Sequence, residues 1–270
     1  MARFFGRLQS RAARGGPRWR RASSYADMHQ VTDVGVRYDR DVYAPGTYDD
    51  HVWSLQRPHL EVLLSDFQAR HGRVKYLDFA CGTGRIISVA ERFAAESTGV
   101  DISPFMIERA ATRVSRSRLV VANVLADPAS IDDDYDVITA FRFFLNTEPE
   151  MRVAVMASLA GRLRGDDSLL VFNIHGNATS SLALTSIYRR LRGWGPAWLM
   201  SHREVRALVE GSGLTIVDRM GFGLWPKRLY RTPIGPMIRA IDRWAVRNRL
   251  LRPLSQDVIY VCRRRARAAP

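Results

Sequence analysis

From residue 73 to 174 the sequence alternates short apolar runs with longer amphipathic stretches, and few architectures accommodate that rhythm. The runs 74–79, 97–101, 118–122, 135–141 and 168–174 read as strands. The stretches 85–95, 104–115 and 148–163 between them read as helices. Pro104 and Pro149 suit first helical turns, and Ser103 suits the cap before Pro104. Strands alternating with helices build βαβ units, so the sheet should be parallel with helices on its faces. Further on, 201–211 reads as a helix, and 214–221 and 257–262 as two strands. A late strand pair split by an insertion at 224–254 suggests an antiparallel hairpin at one sheet edge. The expected fold class is α/β: a doubly wound, mostly parallel seven-stranded sheet with a C-terminal antiparallel hairpin and helical cover and lid segments.

In such a sheet, ligands bind beyond the carboxyl ends of the strands, near the point where strand order reverses. The loop after the first core strand, Ala80-Cys81-Gly82-Thr83-Gly84, is therefore the leading ligand site. Gly82 and Gly84 let the backbone turn tightly and approach a ligand, and a following helix offers free N–H groups. A P-loop needs GxxxxGK[ST], and no lysine stands here. A dinucleotide fingerprint needs GxGxxG, but Ile87 holds the third glycine position. Asp78, just before the turn, would repel a phosphate and pair with a cation. The residues point to a nucleotide-like ligand that carries positive charge and no pyrophosphate. Cys81 reads as a small buried filler, because no general base neighbours it in sequence.

The chain carries 41 basic residues against 27 acidic ones, a net +14. All the basic residues but Lys75 and Lys227 are arginine, a bias that a GC-rich genome also produces, so arginine count alone does not argue for nucleic acid. Cys81 and Cys262 lie far apart, with no zinc spacing and no disulfide framework, which suggests a reducing compartment and no metal. No apolar run is long enough to span a membrane and no secretory signal is visible, so the expected location is cytoplasmic. Residues 1–24 hold seven arginines and no acid, and read as a disordered basic tail, with a transit peptide as the other reading. Residues 25–72 read as an N-terminal helical cover, with helical flanks at 25–34 and 53–70 around a Pro45-Gly46 turn. The core follows at 73–175, then the rest of the sheet at 176–263 with insertions at 176–200 and 224–254, and a basic tail at 264–270.

The stretch YLDFACGTGRI closely resembles the first motif, [D/E]xGxGxG, of the Rossmann-like (class I) S-adenosylmethionine-dependent methyltransferases, with Ala80 in place of the first glycine. The resemblance continues through TGVDISPFMIERA, VVANVLADP and YDVITAFRFFLN, in the family's order, and covers about 74–174. It implies S-adenosylmethionine as cofactor, cradled by Asp78, Ala80, Cys81, Gly82 and Gly84. It also implies Asp101 on the ribose hydroxyls and Ile102 and Met106 beside the adenine. Asn123 and Val124 would stand at the adenine edge, where an amide offers both donor and acceptor, and Phe141 would follow the fourth strand. Alone, Asp101 would read as a helix cap. Alanine at position 80 is mild if φ is negative, and a negative φ is expected there.

The resemblance implies methyl transfer, in which the protein must orient an acceptor and, for a hydroxyl, remove a proton. Bases are expected at the carboxyl ends of the fourth and fifth strands. Arg142 and Asn146 follow the former and His175 the latter, and His175 is the catalytic candidate because histidine acts near neutral pH. His51 is a second candidate, and His29, His59 and His202 have weaker positions. Tyr38, Tyr43 and Tyr48 could close the site, or simply pack a cover. In 233–250, Ile234, Met237, Ile238, Ile241, Trp244 and Ala245 recur at helical spacing among four arginines. That pattern fits either a lid helix or a helix lying peripherally on an anionic membrane. The expected acceptor is a small-molecule or lipid/glycan-linked hydroxyl. The alternatives are RNA or protein methylation, or a non-catalytic cofactor-binding or membrane-associated interaction protein. Nucleic acid is disfavoured: AFRFF stands where base-modifying relatives carry [N/D]PP[Y/F/W].

Overall fold

The computed structural model of the chain describes residues 44–193 and 198–265. The tail at 1–24, the helix at 25–34, His29, Tyr38, Tyr43 and most of the basic tail at 264–270 lie outside the described residues.

Helix α1 (Tyr48–His71) starts where Thr47 Oγ1 accepts from the Asp50 N–H at 3.1 Å, and it ends at Gly72 in the left-handed region. The alternating core follows as β1 (Lys75–Phe79), α2 (Ile87–Ala90), β2 (Glu96–Asp101), α3 (Pro104–Ala111), β3 (Arg118–Val121), β4 (Val137–Ala140), α4 (Pro149–Gly161) and β5 (Leu169–Ile174). Then come α5 (Leu182–Leu191), α6 (His202–Gly211), β6 (Leu214–Phe222), α7 (Gly235–Ala245) and β7 (Asp257–Arg264). The seven strands form one sheet in the order β3-β2-β1-β4-β5-β7-β6. The β1–β2, β1–β4, β2–β3 and β4–β5 pairs are parallel, and β7 runs antiparallel between β5 and β6.

The late strand pair is thus the expected hairpin at a sheet edge, with the last strand on its inner side. Each predicted strand lies within two residues of an observed one at either end. Tyr135 falls outside β4 and makes an isolated bridge to Leu163 instead. The predicted helix at 85–95 shrinks to α2 because the chain tightens into turns after Glu91, with the Phe93 N–H bonding the Ala90 carbonyl at 2.9 Å. The Glu91 carboxylate turns inward and accepts from the Ser115 and Arg116 N–H groups, each at 3.1 Å, and from the Ser117 hydroxyl at 2.9 Å. Ser103 caps α3 as expected, accepting from the Met106 N–H, with Pro104 in the first turn.

Both faces of the sheet are covered. On one, Leu77, Ile138, Leu170 and Phe172 pack with Met156 and Leu159 of α4 and Val205 and Val209 of α6. On the other, Tyr76, Val137 and Val171 pack with Leu60, Leu64 and Phe67 of α1 and Ile238 of α7. Strand order reverses between β1 and β4, since β2 and β3 lie to one side and β5, β7 and β6 to the other. That reversal opens a crevice at the carboxyl ends of β1 and β4.

The turn after β1 departs from the sequence expectation at one residue: Ala80 has φ 52°, not a negative value. The turn requires it. Residues 80, 82 and 84 are all left-handed, at 52°, 54° and 78°. That path delivers the Cys81 N–H to the Val100 carbonyl at 3.0 Å and the Gly82 N–H to Asp101 Oδ2 at 2.9 Å. An L-residue there carries roughly 1–2 kcal/mol of strain. Ala80→Gly should relieve it, less about 0.5–1 kcal/mol of extra unfolded-chain entropy. The variant is expected to be more stable by up to about 1 kcal/mol, seen as a higher urea midpoint at unchanged slope. A midpoint at or below that of the parent would show the turn to be unstrained.

Candidate functional site

The carboxyl ends of β1 and β4 frame a recess walled by Asp78, Ala80, Cys81, Gly82, Asp101, Met106 and Phe141 of the expected set. Thr83, Arg85, Ile86, Arg142 and Asn146 complete its wall. A Cβ built on Gly82 would meet no protein atom within 4 Å, so this glycine keeps the turn's inner side open. Gly84 serves packing instead. A Cβ there would lie 2.9 Å from Ala110 Cβ, so its absence lets α3 close against the turn. Ile102, Asn123, Val124 and His175 are not in the wall of the recess. Val124 is buried in the core, and Asn123 Oδ1 accepts from the Leu125 N–H at 3.2 Å, stiffening its own turn.

Asp78 is almost fully buried, and its register in β1 sets it beside Thr139 of β4. Its Oδ1 accepts from the Thr139 hydroxyl at 2.7 Å, and its Oδ2 from the Ile87 N–H at 3.1 Å. Because Thr139 spends its proton on Asp78, the Tyr76 hydroxyl must donate to Thr139, at 2.5 Å. Burial raises the Asp78 carboxyl from 3.8 to about 7, against the pull of these two donors. Asp101 is held at both oxygens, by the Gly82 N–H at Oδ2 and the Ser103 N–H at Oδ1, each at 2.9 Å. Cys81 shares the wall as a thiol: burial first, then Asp78 and Asp101, keep it from ionising.

Arg142 connects this recess to a polar cluster on its flank. It stands two residues beyond β4 in the left-handed region, at φ 57°, with its N–H donated to Asn173 Oδ1 at 2.6 Å. Its guanidinium pairs with Asp49 of α1, and Lys227 Nζ reaches the same carboxylate at 3.3 Å. Burial works against the Asp49 charge, but Arg142 and Lys227 outweigh it and hold the carboxyl below its usual range. His175 faces this cluster. Burial, then Arg142 and Lys227, push its pKa well below the ordinary histidine value, so it is neutral at pH 7. Its Nδ1 is shielded from water and has no hydrogen-bond partner among the described residues.

The other histidines are committed elsewhere. His51 Nε2 bonds Asp242 Oδ2 at 3.2 Å, and Tyr230 donates to the same oxygen at 2.5 Å, which clamps α1 to α7. His59 Nδ1 donates to the Leu55 carbonyl, and His202 Nδ1 meets the Tyr260 hydroxyl. Tyr48 packs rather than closes the recess, with its ring at 5.0 Å from that of Tyr230 and its hydroxyl against Gly223. Arg85 and Thr83 were not legible as wall residues. Arg85 stacks over Trp53 of α1, 4.9 Å from the ring centroid, a contact between segments 32 residues apart that no local pattern announces. Among the described residues no cluster of His, Cys, Asp or Glu could hold a metal ion, and no helix is long and apolar enough to cross a membrane.

A family model described as a methyltransferase domain matches residues 77–166. No curated protein matches the sequence. Solved structures are similar in fold. Magnesium protoporphyrin IX methyltransferase from Synechocystis PCC 6803, with bound S-adenosylhomocysteine, superposes with a TM-score of 0.58 at 16% identity, over 86% of this chain and 95% of that one. An S-adenosylmethionine-dependent methyltransferase from Archaeoglobus fulgidus gives 0.58 at 19% identity, over 86% and 100%. The [4+2]-cyclase SpnF gives 0.57 at 16% identity, over 90% and 97%. The match spans β1 through the β4 crevice to the end of α4, the part that builds the recess. Residues 77–166 thus match the methyltransferase-domain family, and the chain has the class I Rossmann-like methyltransferase fold.

Proposed function

We propose that the protein is an S-adenosylmethionine-dependent methyltransferase that acts on a small-molecule or lipid/glycan-linked hydroxyl, with His175 as general base. One observation carries the cofactor reading: a buried carboxylate, Asp78, in the wall of a recess built on a left-handed glycine turn. A cation in the recess offsets the burial that penalises Asp78, whereas a phosphate would add to it. Asp101, held at both oxygens by backbone N–H groups, puts a fixed carboxylate in the recess wall, where a ribose would present its pair of hydroxyls. Met106 and Phe141 offer apolar surface for a base. When bound, the cofactor supplies a methyl group on a positively charged sulfur.

The remaining work falls to the flank. His175 is neutral at pH 7, so its proton-accepting form is fully populated, and Asp49 is the one neighbour that favours the protonated ring formed afterwards. Arg142 reaches both the recess and the Asp49 cluster, which supports a role for it between cofactor and acceptor. The fold relative named for magnesium protoporphyrin IX supports a small-molecule acceptor. Peripheral contact of 224–254 with an anionic membrane belongs to the lipid-linked form of this reading.

Two outcomes are expected. Asp78 is mostly protonated below its value of about 7 and ionised above it. A cation prefers the ionised form, so affinity for S-adenosylmethionine should rise about tenfold from pH 6 to pH 8 and then level off. S-adenosylhomocysteine, with an uncharged sulfur, should show a smaller rise, and Asp78→Asn should remove the difference. Calorimetry giving parallel profiles for the two ligands would sink the cation assignment. Separately, His175→Ala should lower labelled-methyl transfer to lipid or glycan fractions by about 10²–10⁴-fold while leaving cofactor affinity unchanged. A wild-type rate would remove His175 from the mechanism.

A further inference from the structure

The segments after β5 and β6 leave the sheet at the same edge. Ile174 and Gly221 both pair with Val258, and this is also the end of the sheet where β1 and β4 open the recess. The two segments are joined to one another there. Asn177 Nδ2 donates to the carbonyls of Pro253 and Ser255, at 2.7 and 2.8 Å, and the Ser181 hydroxyl donates to the Leu224 carbonyl at 3.2 Å. Residues 175–193 and 224–254 are therefore one cap over the carboxyl edge.

This cap wears its apolar surface outward. Helix α5 has no buried residue, yet Leu184, Ile187, Tyr188 and Leu191 recur at spacings of three and four and are 50–81% exposed. Helix α7 buries Ile238, Asp242 and Ala245 but turns Ile234, Met237 and Trp244 outward, at 48%, 57% and 62% exposure. Trp198 and Trp225 are exposed beside them, so Trp53 is the only described tryptophan not exposed on or next to the cap. Large exposed apolar residues elsewhere, such as Val62, Val121 and Val153, are scattered singly, which is ordinary for a soluble surface.

Charge identifies the occupant. Arg190, Arg192, Arg228, Arg231, Arg243, Arg247 and Arg249 are all exposed around these stripes. The only acid in 182–193 and 224–254 is Asp242, which is buried against His51 and Tyr230. Apolar stripes with tryptophan, bordered by arginine and free of exposed carboxylates, match the boundary between acyl chains and anionic headgroups. A second copy of the chain would bring arginine against arginine.

We propose that the α5–α7 cap docks on an anionic lipid bilayer and holds the recess mouth at its surface. This deepens the lipid-linked acceptor reading and rests on it for its purpose, but its test does not involve methyl transfer. The full chain is mixed with vesicles of equimolar phosphatidylglycerol and phosphatidylcholine, or of phosphatidylcholine alone, and sedimented at rising salt. Binding to the anionic vesicles is expected, at least about tenfold tighter than to the neutral ones and weakening with salt, with a blue shift in tryptophan emission. Met237→Asp with Trp244→Asp, and Ile187→Asp with Leu191→Asp, change only exposed side chains and should each weaken it by about tenfold or more. Anionic-vesicle binding that both pairs leave intact would overturn the proposal, because the basic termini would then carry it. Absence of binding, or a solution dimer that these substitutions dissolve while vesicle binding stays unchanged, would overturn it as well.

Discussion

Asp78 is the group on which the rest of the site depends. Its carboxylate joins three elements that must meet at the switch point: β1, which carries it, β4 through Thr139, and the start of α2 through the Ile87 N–H. The arrangement is unfavourable alone. A shift from 3.8 to about 7 is worth about 4 kcal/mol against the ionised form. A purely structural bond between β1 and β4 would be cheaper to make with two neutral groups. The carboxylate therefore makes sense as half of a pair whose other half is a ligand charge. The left-handed turn at residues 80–84 follows from the same need, because it holds the backbone clear of the space the carboxylate faces.

The flank repeats this logic with protein partners. Arg142 is fixed by a strained φ and by the bond from its N–H to Asn173, so its guanidinium is aimed rather than mobile. Asn173 also donates to Asp257 Oδ1, which accepts from Gln56 of α1 as well. One buried amide thus sets β4, β5, β7 and α1 in register around Arg142. The Asp49 carboxylate then binds Arg142 and Lys227 together, and burial, seconded by these two cations, keeps His175 neutral. Both the N-terminal helix and the insertion after β6 contribute a charge here, so this cluster cannot form from the alternating core alone.

Most of the sheet was legible because a parallel strand buried on both faces leaves a continuous apolar run, and a glycine turn leaves its own mark in one dimension. Strand β1 is typical: Tyr76 packs on one face, Leu77 and Phe79 on the other. What escaped depends on contacts distant in sequence. Nothing near His51 signals that Asp242, 191 positions away, engages it rather than an acceptor. Ala80 hides its conformation because the cues for a left-handed turn are glycines, and this position lacks one. The outward faces of α5 and α7 are written in the sequence as amphipathic helices, but periodicity gives the stripe and not its direction. Only the burial of Ile238 and Ala245, on the face adjoining exposed Met237 and Trp244, shows that α7 has two apolar sides.

The same fold supports the [4+2]-cyclase SpnF, so the sheet and its crevice do not by themselves choose a reaction. What can choose is the charge of the wall and the geometry of the flank. A carboxylate near neutrality in the wall favours a ligand with positive charge. A neutral imidazole with an unpartnered nitrogen favours an acceptor that gives up a proton. These preferences are separable: the first governs which ligand enters, the second what happens to its neighbour. On the proposed reading, a protein with this recess that lost the flank would still bind the cofactor and would lack the base. On the same reading, one that lost Asp78 would keep the proposed base, with little to distinguish a charged sulfur from a neutral one. The proposed methyl transfer needs both, and in this chain a single residue, Arg142, touches both the recess and the cluster that His175 faces.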